Sequence, residues 1–182
     1  PIAISVRRGE YKKPKLEDFK VPAKEVKKLS KKPVDALSIE GDYYWENRRF
    51  DDERRDWEYH TENWISDYWA SGIHPHRKLV IEALKSIGWG SILEVGCNCG
   101  PNLRLIQQEF GGKYLAGVDI NRDVVREARD IFPQANIQHG NANHLPVADQ
   151  SIDVILADAV LIYVAPGSIR RVLDEFNRVA KS

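Results

Sequence analysis

The chain has 182 residues, 42% of them hydrophobic, and its 27 Lys and Arg balance 27 Asp and Glu to a formal net charge of zero. This length suits a single domain. No apolar run approaches the roughly 20 residues that a membrane-spanning helix needs, and no secretory signal is visible, so the composition argues against a membrane protein.

The N-terminal segment, residues 1–40, is basic, because residues 1–38 hold 11 Lys or Arg against 5 Asp or Glu. Pro14 and Pro33 interrupt it and it has little hydrophobic periodicity, which predicts a flexible arm or linker without a core of its own. Such a charge run is usually a solvated tail, although a nucleic acid or another acidic partner stays open. Aromatic residues are not interleaved with the lysines, so binding of a single-stranded nucleic acid is not favoured.

Residues 41–73 have a different composition, with all the tryptophans except Trp89 and many charged side chains between the rings. Trp57, Trp64 and Tyr68 follow one another at helical spacing, which predicts a helical cap segment. Two interpretations stay open. The rings can close over a bound cation as a lid, or they can simply pack this segment onto the neighbouring domain.

Residues 74–182 alternate short apolar runs with amphipathic segments. The predicted strands lie at residues 92–95, 114–119, 135–139 and 151–157. Amphipathic helices are predicted before the first strand, after each of the first two, and at the end of the chain. This alternation predicts an α/β domain with a doubly wound, mainly parallel Rossmann-like sheet and helices on both faces.

The turn after the first strand, from Glu94 to Gly100, carries the strongest signal. Gly96 and Gly100 can take left-handed backbone, and Asn98 is the non-glycine type that best tolerates positive φ. Pro101 suits the first position of the following helix. A strand, a tight loop and a helix N-terminus form the place where α/β sheets hold nucleotide-like ligands. The acidic Glu94 favours a ligand with a cationic amino acid group over a pyrophosphate.

The second strand ends in Asp119, 25 residues after Glu94, where an acidic side chain can hold both hydroxyls of a ribose. Asn121 is predicted to cap the next helix. The third strand leads into the loop 140–146, Gly-Asn-Ala-Asn-His-Leu-Pro, and the fourth leads through Asp158 to Tyr163.

These four segments, in this order and spacing, resemble the class I S-adenosylmethionine-dependent methyltransferases, in particular the type 11 group, over roughly residues 79–181. The resemblance implies S-adenosyl-L-methionine as the cofactor. Its methionine part would lie on the loop after the first strand, its ribose at the end of the second, and its adenine at the loop 140–146. The cofactor-binding residues implied in this way are Glu94, Gly96, Cys97, Asn98, Gly100, Asp119, Ile120, Asn141, Ala142 and Asp158, of which Asp158 can contact either cofactor or acceptor.

The same resemblance places His144 and Tyr163 near the methyl-transfer face, where either can take a proton from an acceptor hydroxyl or amine. A packing role or an adenine contact stays open for both. The implied function is transfer of a methyl group to an O or N atom of a small-molecule acceptor by direct in-line displacement. The alternatives are a non-catalytic methyltransferase-like binding module and, less favoured, an NAD(P)-dependent oxidoreductase.

Several features depart from the family pattern. Asn98 stands where a glycine is usual, and Asn141 stands where an Asp is usual, so we expect weaker adenine recognition. The family sheet normally continues beyond the last helix, and we therefore expect a fragment whose C-terminal strands are missing.

No metal site is predicted. Cys97 and Cys99 have no second ligand pair at metal-site spacing, and His74 and His76 have no carboxylate partners in view. Two reduced cysteines in a turn favour a cytoplasmic location.

Overall fold

The computed structural model describes residues 2–5, 45–46 and 75–182. Over these residues the chain forms β1 (Ile2–Ser5), α1 (Pro75–Lys85), β2 (Ser91–Val95), α2 (Pro101–Phe110), β3 (Tyr114–Asp119), α3 (Arg122–Ile131), β4 (Asn136–His139), β5 (Val154–Asp158), a short 3-10 helix (Leu161–Tyr163) and α4 (Pro166–Val179). The predicted alternation of strands and helices is confirmed. None of the described helices combines the length and the apolar character that crossing a bilayer requires.

The described strands form one sheet in the order β1-β5-β2-β3-β4. Strand β2 pairs in parallel with both β3 and β5, and β3 pairs in parallel with β4. The chain therefore moves outward from β2 to β4 and then returns to the other side of β2 with β5. This reversal leaves a crevice at the carboxyl ends of β2 and β5, which is where open α/β sheets bind ligands.

Hydrophobic side chains cover both faces of the parallel strands, as expected for a sheet with helices on each side. On one face, residues of α1, α2 and α3 form a cluster that includes Leu84, Leu103, Ile106 and Ala128. On the other face, α4 contributes Val172, Phe176 and Val179. The predicted doubly wound α/β architecture is therefore confirmed.

The caps of two helices hold the loops at the carboxyl edge of the sheet. Helix α2 starts at Pro101, directly after Gly100, whose φ of 80° turns the chain into the helix. Helix α3 is capped by Asn121, whose side chain accepts from the backbone N–H groups of Asp123 and Val124. Both helix starts agree with the sequence prediction.

Strand β1 differs from the predicted flexible arm. It pairs antiparallel with the outer side of β5, with Ile2 opposite Asp158 and Ser5 opposite Ile155. Main-chain groups make this ladder, so an arm without a core of its own can still add to an open strand edge. The rest of the arm lies outside the described residues, as does the cap segment apart from Trp45 and Glu46. The predictions for nucleic-acid binding and for an aromatic lid stay predictions.

Candidate functional site

A cavity of about 1060 Å³ opens at the crevice where the strand order reverses. Most of the predicted cofactor-binding residues line it, namely Glu94, Gly96, Cys97, Asn98, Asp119, Ile120, Asn141, Ala142 and Asp158. Gly100 is buried and lies outside this lining, where it turns the chain into α2. Residues from loops that are far apart in the sequence therefore meet in one cavity.

The loop after β2 adopts the left-handed conformations that its residue types predict. The φ angles of Gly96, Asn98 and Gly100 are 70°, 50° and 80°. A Cβ atom at Gly96 would lie only 2.1 Å from the side chain of Val160. The backbone thus passes too close to the opposite wall of the cavity for any larger residue at position 96.

Asp119, at the end of β3, holds this loop in place. Its Oδ2 accepts from the backbone N–H of Asn98 at 2.8 Å, and its Oδ1 accepts from that of Asn121 at 2.9 Å. Burial raises the pKa of Asp119, and the backbone N–H groups oppose that rise. A carboxylate offers about four lone-pair positions, so each oxygen can still accept from a ligand hydroxyl.

A buried polar network surrounds Glu94. The Nδ2 group of Asn102 donates to Glu94 Oε1 at 2.6 Å and to Asp158 Oδ2 at 3.1 Å. The Oδ1 atom of Asn102 accepts from Nη1 of Arg77. One side-chain amide in the first turn of α2 therefore joins two carboxylates and a guanidinium.

The second carboxylate oxygen of Glu94 is unusual. Glu94 is 2% exposed, and its Oε2 has no hydrogen-bond partner among the described residues. Burial raises the pKa of Glu94 to about 8, while the hydrogen bond from Asn102 opposes the rise and Asp158 adds to it. Because a buried acceptor without a donor is costly, this oxygen is suited to a donor that arrives with a ligand.

The loop after β4 contains a second such acceptor. Asn141 Oδ1 accepts from the backbone N–H of Asn143 at 2.9 Å, so the Asn141 side chain closes the turn. Asn143 lines the cavity, and its Oδ1 is buried without a partner in the described part of the chain. The sequence prediction named Asn141, which also lines the cavity, and did not name Asn143, because the turn that leaves the Asn143 oxygen without a described partner is not visible in the loop's composition.

Two side chains of α4 hydrogen-bond the backbone of the same loop. Glu175 Oε2 accepts from the backbone N–H of Leu145 at 2.8 Å, and Arg178 Nη2 donates to the Leu145 carbonyl at 3.0 Å. The hydrogen bond from Arg178 lowers the pKa of Glu175 to about 2. This ion pair therefore stays charged at neutral pH and holds the loop in place at Leu145.

The two predicted catalytic residues have different positions. Tyr163 lines the cavity from the 3-10 helix, and its ring stands edge-to-face with that of Trp45, 5.1 Å between centroids. His144 is exposed and lies outside the lining, near Glu175, whose pKa it helps to lower. The structure therefore brings Tyr163 to the cavity and not His144, and a catalytic role of either remains a prediction.

His76 lines the cavity instead. Its Nε2 lies 3.1 Å from Asp158 Oδ2, so the carboxylate partner that the sequence did not reveal comes from β5. Arg77 and Asn102 were missed as well. All three are polar residues in the first turn of a helix, and this placement is the signal from which they could have been suspected.

Comparisons with known proteins agree with this geometry. A family model described as methyltransferase domain matches residues 92–182, half of the chain. An arsenite methyltransferase of Halobacterium salinarum is 30% identical over 97 residues, which cover 50% of this chain and 24% of that protein.

Solved structures share the fold. The PH0226 protein of Pyrococcus horikoshii has a TM-score of 0.52 at 25% identity, covering 62% of this chain and 53% of that one. A TehB-like S-adenosylmethionine-dependent methyltransferase of Corynebacterium glutamicum has a TM-score of 0.53 at 19% identity, covering 65% and 66%. The chain spans well under two thirds of the length of the curated relatives it matches.

Proposed function

The chain belongs to the methyltransferase domain family, and on that basis we propose that it transfers a methyl group to an O or N atom of a small-molecule acceptor. S-adenosylmethionine is the cofactor of such domains. One observation carries the proposal. Two buried oxygens without partners among the described residues, Glu94 Oε2 and Asn143 Oδ1, belong to residues that line a single cavity.

The described residues match the cofactor in two ways, namely in their hydrogen-bonding chemistry and in their order along the sheet. Its ammonium and its adenine amino group are donors, which is what the two oxygens require. Glu94 lies on β2, Asp119 ends β3 and Asn143 follows β4, and these strands are neighbours in that order. With strands roughly 4.8 Å apart, the edge presents acceptors for the amino acid, the ribose and the adenine in the sequence in which the cofactor carries them.

The chain's own residues supply positioning and proton transfer. When bound, the cofactor supplies a methyl group on a positively charged sulfur, ready for displacement by an acceptor lone pair. Trp45 and Tyr163 offer aromatic faces that favour a cation and exclude water. The Tyr163 hydroxyl, or the imidazole of His76 oriented by Asp158, can take the proton that an acceptor hydroxyl or amine loses.

The first test is calorimetric titration with S-adenosylmethionine, S-adenosylhomocysteine and NAD. We expect the first two to bind with dissociation constants on the order of micromolar and NAD to show no binding. Tighter binding of NAD would overturn the proposal in favour of an oxidoreductase. A folded chain that binds none of the three would contradict the assigned cavity.

The second test follows tritium from labelled cofactor into pooled hydroxyl and amine acceptors. Tyr163→Phe keeps the ring against Trp45 and removes only the hydroxyl, so cofactor affinity should stay while turnover falls by about 100-fold or more. His144→Ala serves as the matched variant and should keep turnover. The reverse pattern would reassign the proton acceptor to His144, and unchanged turnover in both variants would favour His76 over Tyr163. Cofactor binding without label transfer would support a binding module.

A further inference from the structure

The groups that face Glu94 do not balance its charge. In the described residues, α1 presents Arg77 and His76, β3 presents Asp119 and β5 presents Asp158, while the thiol of Cys97 follows β2. Even with His76 protonated, three ionised carboxyls would face two cations. Among these described groups, the negative charges would then exceed the positive ones by one.

The hydrogen bond that Glu94 accepts among the described residues comes from Asn102 and from neither of these two cations, although the charge of Arg77 acts on it from a distance. The guanidinium of Arg77 is linked to it through the amide of Asn102, which donates to Oε1. Within the described part of the chain, Oε2 has no donor at all. A fully buried carboxyl with one neutral hydrogen bond favours the protonated form, because desolvation penalises the charge. The pKa of about 8 agrees with this geometry.

We propose that Glu94 gives up a proton when the ammonium of the cofactor's amino acid end binds beside it. This proton exchange would make the site favour ligands whose amino acid end carries a positive charge. The free protein carries the proton, and the proton leaves to solvent when the ammonium reaches Oε2. This inference rests on the proposed function, since it concerns the same cavity and the same ligand. A ligand that lacks the ammonium leaves the proton in place.

The exchange predicts an unusual pH dependence. At pH 6.5 the ligand's amine is already charged, so binding releases about one proton. At pH 9 Glu94 has already lost its proton, so ligand binding no longer releases a proton from it. Affinity should therefore fall by about tenfold for each pH unit below about 8, the pKa of Glu94.

The main experiment is titration of the full chain with S-adenosylhomocysteine at pH 6.5 in phosphate and in imidazole buffer. The difference in binding enthalpy between two buffers of unlike ionisation enthalpy counts the released protons. We expect about one proton for the wild type and close to none for Glu94→Gln, which keeps the shape and an acceptor oxygen but has no proton to release. The ligand 5′-methylthioadenosine, which lacks the amino acid end, should release close to none from the wild type.

The ratio of dissociation constants, Glu94→Gln over wild type, adds a second signature. It should rise by about tenfold per pH unit between pH 6 and 8, because only the wild type gains an anion over that range. An infrared difference spectrum provides a third. The carbonyl band of a protonated carboxylic acid should disappear from the wild type on ligand binding and be missing from the variant.

The possible results distinguish a failure of the proton exchange from a failure of the proposed function. S-adenosylhomocysteine bound at pH 6.5 without proton release, and with an unchanged carbonyl band, overturns the exchange and leaves the cofactor site standing. A folded wild type that does not bind this ligand overturns the exchange and the proposed function together.

Discussion

Carboxyl groups at the two opposite edges of the parallel sheet have different surroundings. At the amino-terminal edge, Asp153 precedes β5 and accepts from the backbone N–H groups of Gly90 at 2.8 Å and Ser91 at 2.9 Å. The Nζ atom of Lys181 also lies 3.1 Å from Oδ1 of Asp153 and forms an ion pair with it. At the carboxyl edge, Glu94 has the single neutral donor of Asn102 and one oxygen without a described partner.

These surroundings move the two pKa values in opposite directions. Burial disfavours the charge of Asp153, but the N–H of Gly90, the Lys181 ammonium and Ser91 outweigh it and lower its pKa well below the ordinary range. Burial of Glu94 is not offset in this way, and its pKa rises to about 8. The polar groups of the amino-terminal edge hydrogen-bond one another and stabilise the fold, whereas the carboxyl edge leaves buried acceptors without partners among the described residues, as a ligand site would.

Replacement of Glu94 should have the largest effect, and the effect should appear in the pH dependence of the free energy of unfolding. The folded protein binds more protons at Glu94 than the unfolded chain does, so the free energy of unfolding falls as pH rises from about 4.5 to about 8. Glu94→Gln removes this loss. In the absence of ligand, we expect the variant to match the wild type at pH 5 and to exceed its stability at pH 9 by on the order of 4 kcal/mol. Urea unfolding at both pH values measures the difference, and a variant less stable than the wild type at pH 9 would contradict the assignment.

Asp119→Ala tests whether the carboxyl edge is a ligand site. The change removes the acceptor that we propose for the ribose hydroxyls, together with the backbone contacts to Asn98 and Asn121 that hold the loop. We expect the dissociation constant of S-adenosylhomocysteine to rise at least 100-fold, about 3 kcal/mol. Asp153→Ala is the matched control, because it deletes the same side chain at the opposite edge. A similar loss of affinity in both variants would mean that reduced stability, and not ribose contact, explains the effect.

Asp153→Ala should itself weaken the fold by about 2 kcal/mol at pH 7, because several backbone and side-chain donors lose a partly buried, charged acceptor. The folded pKa of Asp153 is depressed, so its contribution is present above the ordinary value of 3.8 and is lost as pH falls through the folded-state value. The stability difference between wild type and variant should therefore shrink in strong acid. A difference in urea unfolding that is constant from pH 7 to pH 2 would show that the carboxylate charge is not involved.

Features encoded by neighbouring residues could be predicted from the sequence. Strand β3 was predicted at its observed bounds, and Asn121 caps α3 as expected. The positive φ angles of Gly96 and Asn98 follow from their residue types. Each of these depends on a few consecutive positions, where local conformational preference decides the outcome.

Features that depend on distant residues could not be predicted. Asn102 joins Arg77, 25 residues away, to Asp158, 56 residues away, and no periodicity connects these positions. Strand β5 was predicted from residue 151 but begins at Val154, because the N–H groups of Ser151 and Ile152 donate to the carbonyl of Val179 at the end of α4. The pairing of β1 with β5 likewise depends on an open strand edge, which the four residues of β1 do not specify.

Asn143 tests the adenine end of the cavity, where the effect should be smallest. Its Oδ1, which has no partner in the described part of the chain, would accept one hydrogen bond from a neutral amino group, worth about 1 kcal/mol. Asn143→Ala should therefore raise the dissociation constant of S-adenosylhomocysteine roughly five- to tenfold. S-inosylhomocysteine, which has a carbonyl in place of that amino group, should bind both proteins equally well. Asn141→Asp should keep or tighten binding, because a carboxylate can close the same turn. An equal loss of both ligands in Asn143→Ala would show that Asn143 shapes the loop and does not recognise adenine.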